Sequence, residues 1–487
     1  MKPTIDMNNG NGKGGKPRMT LTLGRKLAYG VGHVFNDLCA SMWFTYTLIF
    51  FNKVILFSSS LAGIVVLTGQ IADGLATPFV GYFSDRGDDF WICKYGRRKT
   101  WHLIGTLCVV ASFPFIFTPC LGCEDSDSWA QMIYYSAFVI IFQFGWASAQ
   151  ISHLSLVPEL TPDEHERTSL LAIRYSFTVI SNIVVYLLLW IVLQVDSNNP
   201  DAPITPKDTG KFQVVAYTVV ALGCVTSFVF HTGVKETQRE TLLPHDELGI
   251  PGSRQESVSI SPWGLFGKIR LYQVAVLYMA TRLFANISQT IFPLYLHDVL
   301  HLGGQNIAIL PLVMYAFSFL MSTLIKPLNK KCGRKVAFCF GAAVGVGVSI
   351  WVRVGEGEFY TSYLIYAVAG LYGITSSALL VTSLGITADL IGHDLNNGAF
   401  IYGLMSFCDK LSNGALVMVI QTWTCWPTCA THYRESLSYV CGGAALLGAV
   451  AVMSLCNTPT TEELEEDQNK RSERQEETRE NVISVNA

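Results

Sequence analysis

Apolar stretches of roughly 20 residues or more recur along almost the whole chain, at 26–52, 59–83, 100–118, 130–157, 167–195, 212–233, 271–298, 305–326, 335–354, 360–387, 398–422 and 435–457. Each is long enough, as a helix, to cross a hydrocarbon layer of about 30 Å. Lipid offers no partner to a bare N–H or C=O, so such runs must close their backbone hydrogen bonds internally. Composition agrees: 50% of the 487 residues are hydrophobic and 15% charged, and the mean hydropathy is +0.35. An ordinary soluble enzyme carries more charge. The reading is an all-α membrane protein with twelve transmembrane helices.

Positive charge orients it. Arg86, Lys94, Arg97, Arg98 and Lys99 follow the second span, and Lys326, Lys330, Lys331, Arg334 and Lys335 cluster at the end of the eighth, whereas residues 119–129 carry no Lys or Arg. The positive-inside tendency puts both termini and the 234–268 loop in the cytosol. Residues 1–25, rich in Gly, Asn and Lys without an apolar core, read as a disordered cytosolic arm and not a cleavable signal. Residues 458–487 read as a solvated, mixed-charge tail. A net charge of −3 suggests no nucleic-acid partner. The lipid bilayer and a small-molecule solute are the expected partners.

Most of the 13 cysteines lie inside spans. Cys120 and Cys123 in PCLGC, and Cys425 and Cys429 in CWPTC, fall at non-cytosolic ends where disulfides are permitted, with free thiols the favoured reading. These spacings lack a full metal-ligand set, and no nucleophile–base arrangement stands out, so neither metal, cofactor nor enzymatic activity is expected. Asn286 opens an NIS triplet but sits mid-span, out of reach of glycosylation.

The 234–268 loop divides the spans six and six, giving a 26–233 bundle and a 269–457 bundle. The halves echo each other: PELTPDEHERTSLLAIRYSF at 158–177 and ADLIGHDLNNGAFIYGLMSF at 388–407 both carry an acid second and Ser-Phe last. Such an echo is the signature of a duplicated bundle and not of a run of unrelated helices. Within the second span, GQIADGLATPFVGYFSDR at 69–86 holds Asp73 in an apolar setting, a cost that marks a pathway facing water or a partner. His33 and Asp37 lie one turn apart and can meet, and the imidazole would respond to an acidic compartment. Arg282, Asn286 and Gln289 form one polar face of the seventh span, and Gln150 and His153 share a face of the fourth.

Family motifs sharpen this. GYFSDRGDDFWICKYGRRKTW at 81–101 resembles the loop signature of the major facilitator superfamily, with a short insertion. PELTPDEHERTSLLAIR at 158–174 resembles the glycoside-pentoside-hexuronide:cation symporter family after its fourth helix. The resemblance implies the major facilitator fold, two six-helix bundles working by alternating access. YGVGHVFNDLCASMWFTY, FQFGWASAQISHLSLVPEL and VTSLGITADLIG resemble an animal lysosomal and melanosomal branch of that superfamily. That resemblance alone implies the solute, cysteine, carried from cytosol to lumen.

Carried onto this chain, the resemblance makes Asp73 the first carboxylate of a cation site on the second helix and puts Thr77 where a second carboxylate stands. A hydroxyl brings no charge, so sodium coupling loses its basis; proton coupling through Asp73, or uncoupled exchange, stays open. Lys410 matches a lysine of the eleventh helix that faces the second, while Asp409, turned about 100° away, is expected to serve another contact. Arg174 matches an arginine that reaches solute, and a guanidinium suits a carboxylate. His33 replaces a sugar-binding Asp, and Gln150 and Leu154 replace a second Asp and a stacking Trp. The chain is thus read as lacking both paired sugar acceptors and a flat ring. Asp85, Arg86, Arg97, Arg98, Glu159, Glu166 and Arg167 are read as a cytosolic gate of exchanging ion pairs. The glycines of GAAVGVGV at 341–348 are read as helix-packing positions. Leu242 and Leu243, with acidic neighbours in ETQRETLLPHDEL, offer a dileucine for a sorting adaptor, although Gln238 occupies its usual acidic position. A second class of function, a non-transporting membrane scaffold or receptor, is permitted by the departures and disfavoured by the retained Asp73, Arg174 and Lys410.

Overall fold

The computed structural model describes residues 21–85, 95–161, 164–195, 202–236, 269–391, 395–423 and 430–455. Arg86, Leu242, Leu243, Cys425, Cys429, most of the N-terminal arm and central loop, and the tail lie outside the described residues, as does the side chain of Asp85.

Twelve long helices appear among the described residues: α1 (Leu23–Val54), α2 (Ser59–Asp85), α3 (Arg97–Ile116), α4 (Ser128–Ser155), α5 (Glu164–Val195), α6 (Thr209–Gly233), α7 (Ile269–Asp298), α8 (Gly304–Cys332), α9 (Arg334–Val354), α10 (Ile365–Ile391), α11 (Leu395–Thr422) and α12 (His432–Ser454). Several begin two or three residues before the apolar runs, because a polar first turn is helical yet invisible to hydropathy. Ten are long and apolar enough to cross a membrane. The two outside that set, α7 and α11, carry Arg282 and Asn286, and Asp409 and Lys410. Their lower hydropathy follows from what they bring to the centre.

Packing repeats with a shift of six helices. In the first half α1 packs on α5 and α6, α4 on α2 and α3, and α3 on α6. In the second, α7 packs on α11 and α12, α10 on α8 and α9, and α9 on α12. The chain therefore forms two equivalent six-helix bundles, and they meet through α2 on α11, α5 on α8 and α1 on α7. At α2 and α11 the backbones come close because Gly414 has no side chain: a Cβ there would stand 2.9 Å from Gln70 Cβ.

Helix α1 is broken. In the sequence Gly30-Val31-Gly32-His33, the first segment ends at Val31 and the second starts at Val34, as expected where glycines weaken a helix. Two buried histidines serve the loosened backbone: His153 Nε2 donates to Tyr29 O at 2.7 Å and His102 Nε2 to Gly32 O at 3.0 Å. The break re-aims His33 and the turn after it. Between α3 and α4, Cys120 and Cys123 are joined as a disulfide, the alternative that spacing alone left open.

Candidate functional site

A cavity of about 310 Å³ lies between the bundles. From the first half it is lined by His33, Asp37 and Phe44 of α1, Gln70 and Asp73 of α2, Trp146 and Gln150 of α4, and Arg174, Tyr175 and Thr178 of α5. The second half supplies Arg282 and Asn286 of α7 and Asp409 and Lys410 of α11. Asp37, Asp73 and Asp409 face Arg174, Arg282 and Lys410, three formal charges of each sign.

Two of the first-half charges, Arg174 and Asp37, are joined through His33 in one directed chain. Arg174 Nη2 lies 2.7 Å from His33 Nε2, and His33 Nδ1 lies 2.9 Å from Asp37 Oδ2, which also accepts from Thr178 Oγ1 at 2.8 Å. A guanidinium only donates, so His33 Nε2 accepts and its proton sits on Nδ1, pointed at the carboxylate. A second proton on this ring would set donor against donor and break the Arg174 contact. The buried Arg174 Nε has no partner among the described residues.

The other charges join the halves. Lys410 Nζ donates to Asp73 Oδ1 at 2.6 Å and to Thr77 Oγ1 at 2.6 Å, and lies 5.8 Å from the Trp146 ring centre. Thr77 donates back to Asp73 O at 2.9 Å. Asp73 is 3% exposed, so its charge is stabilised by Lys410 and not by water. Asp409 makes the separate contact expected of it, pairing with Arg282 Nε at 2.9 Å, yet it also faces the cavity.

Three placements depart from the sequence reading. His153 does not reach the cavity: it is buried, stacked on Tyr29 at 4.2 Å, and spent on the α1 backbone. Gln289 lies one turn too deep and forms part of the cavity floor, donating across the halves to Thr45 Oγ1 at 2.9 Å. A flat ring is not lacking, since Trp146 and Tyr175 line the space where Leu154 does not. Gln70, Trp146 and Thr178 also line the cavity, each three or four residues from Asp73, Gln150 or Arg174 on the same helical face, a spacing that is the signal by which the sequence marks them.

The ends of the molecule differ. At the end carrying the α2–α3 and α4–α5 connections, Arg98 Nε donates to Glu159 Oε1 at 2.5 Å, Arg97 lies 3.7 Å from the same oxygen, Lys26 pairs with Glu166 at 2.8 Å, and Arg167 Nε donates to Thr161 O at 2.9 Å. Glu236 accepts the Arg98 and Lys99 backbone N–H groups at 3.2 and 3.1 Å, and burial pushes its carboxyl above the usual carboxylate range. Apart from those of Glu236, which stands just past the bundle at the start of the central loop, all these contacts stay within the first bundle. At the opposite end, Lys53 pairs with Asp298 at 2.7 Å, Asn52 donates to Gln421 Oε1 at 3.4 Å, and Gly304 N donates to Ala202 O at 3.0 Å, each across the halves. His297 stands between Asp298 Oδ1, 2.6 Å away, and Ile204 O, 3.3 Å away. Tyr175, on the cavity wall, is 47% exposed, whereas Tyr186, three turns further along α5, is fully buried at the floor. Among the described residues the cavity is therefore floored toward the Lys53–Asp298 end and open toward the Arg98–Glu159 end.

Two duplicated bundles around one central, charge-lined cavity, closed at one end and open at the other, define a secondary transporter. The chain belongs to the MFS/sugar transport protein family of the major facilitator superfamily, whose model matches residues 28–423. It is 44% identical to "Major facilitator superfamily domain-containing protein 12" of Homo sapiens, over 90% of this chain and 94% of that one, and 42% identical to the protein of the same description from Equus caballus, over 92% and 95%. Among solved structures it is similar to a D-xylose-proton symporter, with a TM-score of 0.66, 15% identity, and 90% and 98% of the two chains covered; that likeness concerns the fold.

Proposed function

We propose that this transporter carries a small zwitterionic amino acid, cysteine, from the cytosol into the lumen of lysosomes or melanosomes. The observation that carries the reading is a central cavity whose six formal charges, Arg174 among them, cancel. A zwitterion brings one carboxylate and one ammonium. Its carboxylate has the guanidinium groups of Arg174 and Arg282 on the cavity wall, and its ammonium has acceptors in Asp73 and Asp409, while the cavity's own balance gives no preference to a net anion or cation. His33, Asp37, Gln150, Arg282 and Asn286 complete the binding wall in this reading, and Gln289 acts as a floor that must part.

Asp73, Thr77 and Lys410 serve as the coupling cluster. One carboxylate and one hydroxyl make a poor cage for sodium, so a proton moving on and off Asp73 is the coupled ion, with Lys410 released when Asp73 is neutral. The moving units are 26–233 and 269–457, the open end is cytosolic with both termini, and Leu242 and Leu243 address the protein through a sorting adaptor.

The test is uptake of labelled cysteine into organelles isolated from cells that express the chain. Arg174→Ala should lower uptake at least ten-fold while delivery to the organelle is unchanged. Undiminished uptake would remove Arg174 from solute binding.

A further inference from the structure

At the closed end of the molecule one histidine faces an acceptor from each half. His297 lies in the last turn of α7 with its side chain 13% exposed; its Nδ1 is 2.6 Å from Asp298 Oδ1, and its Nε2 is 3.3 Å from Ile204 O in the α5–α6 connection of the first half. The Ile204 carbonyl is held in place from both sides. Asp208 Oδ2 accepts from Thr205 N at 2.8 Å, and Ala202 O accepts from Gly304 N at 3.0 Å.

Both partners of His297 accept and neither donates, whereas a neutral imidazole has one N–H and one lone pair. A neutral His297 therefore turns a lone pair toward one of the two oxygens. The proton it keeps belongs on Nδ1, where the contact is shorter and the acceptor is charged, so the contact given up is the one that crosses between the halves. Only the imidazolium donates to both. The end of α7 suits that charge, because the unpaired carbonyls of a helix C-terminus favour a cation.

The neighbouring groups leave this choice to His297. Lys53 of α1 shares Asp298 Oδ1 at 2.7 Å and opposes a second positive charge, which the Ile204 carbonyl and the helix end offset. Asp208, just before α6, is already paired with Lys211 at 3.0 Å. Tyr433 of α12, within electrostatic reach of Asp298, brings a neutral hydroxyl, and His301 in the α7–α8 turn is exposed.

We propose that His297 is a proton-binding site that latches the far end: protonated, it holds the two halves together through Ile204 O, and on losing its proton it lets them part. Histidine is the side chain that changes charge between pH 5 and 8. The inference rests on the proposed orientation, in which the far end meets an acidic lumen. Acid on that side then closes the end after solute has left and returns the carrier to its cytosol-open form. This proton is taken from and returned to the lumen, unlike one carried across on Asp73.

The test uses the full chain in lipid vesicles, without solute and with other free thiols replaced. Spin labels are placed on cysteines introduced at two exposed far-end positions, Ser128→Cys in the first bundle and Glu358→Cys in the second. Distance distributions at pH 5 and pH 7.5 give the ratio of open to closed far end. In the labelled parent this ratio should rise about five-fold from pH 5 to pH 7.5. His297→Gln should exceed the parent ratio about five-fold at pH 5 and agree with it within about two-fold at pH 7.5. His297→Arg, charged at both pH values, should stay closed at both. A parent ratio that does not move, a His297→Gln protein that keeps the parent's response to pH, or an arginine variant that opens at pH 7.5 as readily as the glutamine one would each overturn the latch. Because no solute takes part, a parent that takes up no cysteine would refute the transport reading and leave this result standing.

Discussion

The two ends of this transporter use ion pairs differently. Around Glu159 and Glu166 the pairs tie helices of one bundle to each other, and around Lys53 and Asp298 the pair ties one bundle to the other. The Glu159 and Glu166 pairs do not cross the dividing surface, so rocking of the bundles need not part them. A contact of the second kind must break for the far end to open. Like pairs of residues thus have unlike roles, and only their position relative to the dividing surface separates them.

The strongest way to break this contrast is to make the far-end contact permanent. In a background with other reactive thiols replaced, Lys53→Cys with Asp298→Cys, joined by a short bifunctional thiol reagent, should abolish transport, and a cleavable reagent should restore it on reduction. Arg98→Cys with Glu159→Cys, treated alike, should retain more than half the activity. Equal loss in both would show that the near-end pairs also part during the cycle.

A smaller effect is expected at mid-depth, where Asp73 and Lys410 cross the halves. Asp73→Asn leaves the Lys410 ammonium with neutral acceptors in place of its carboxylate partner, and breaking a buried pair by removing one member costs about 3–5 kcal/mol. Uptake should fall ten-fold or more, and under the proton-coupled reading the residual rate should lose its dependence on pH. A pH profile of unchanged shape would take Asp73 out of coupling.

The smallest effect concerns the far-end pair by itself. Lys53 and Asp298 side chains are each 25% exposed, so Lys53→Gln should shift the balance of the two states by about 1 kcal/mol or less, under about five-fold. Thiol labelling of a cysteine introduced near the floor should report the shift. Glu159→Gln should leave that labelling rate within two-fold, which is the distinction between the ends in its mildest form.

Legibility followed helical geometry. Asp73 with Thr77, His33 with Asp37, and Arg282 with Asn286 could be read because each pair recurs on one face of one helix, and the structure keeps each on one face. Depth along a helix could not be read in the same way. Gln289 continues the Arg282 face by three residues and drops out of the cavity, because the floor crosses there. His153 shares a face with Gln150 but meets the carbonyl freed by the break in α1, a demand set by another helix. The family pattern places a ring at Leu154, whereas the cavity takes its flat surface from Trp146, two turns away.

The amino-acid order alone determined how many helices there are, their approximate limits, the duplication, and which apolar runs carry a charge, because burial in lipid penalises each unpaired polar group within a single segment. Which charges share one chamber, which end is shut, and that His297 faces an acceptor in each half were settled by how twelve helices lean on one another. Those relations join residues hundreds of positions apart, as Asp73 joins Lys410. No local pattern encodes the angle and depth at which two helices meet.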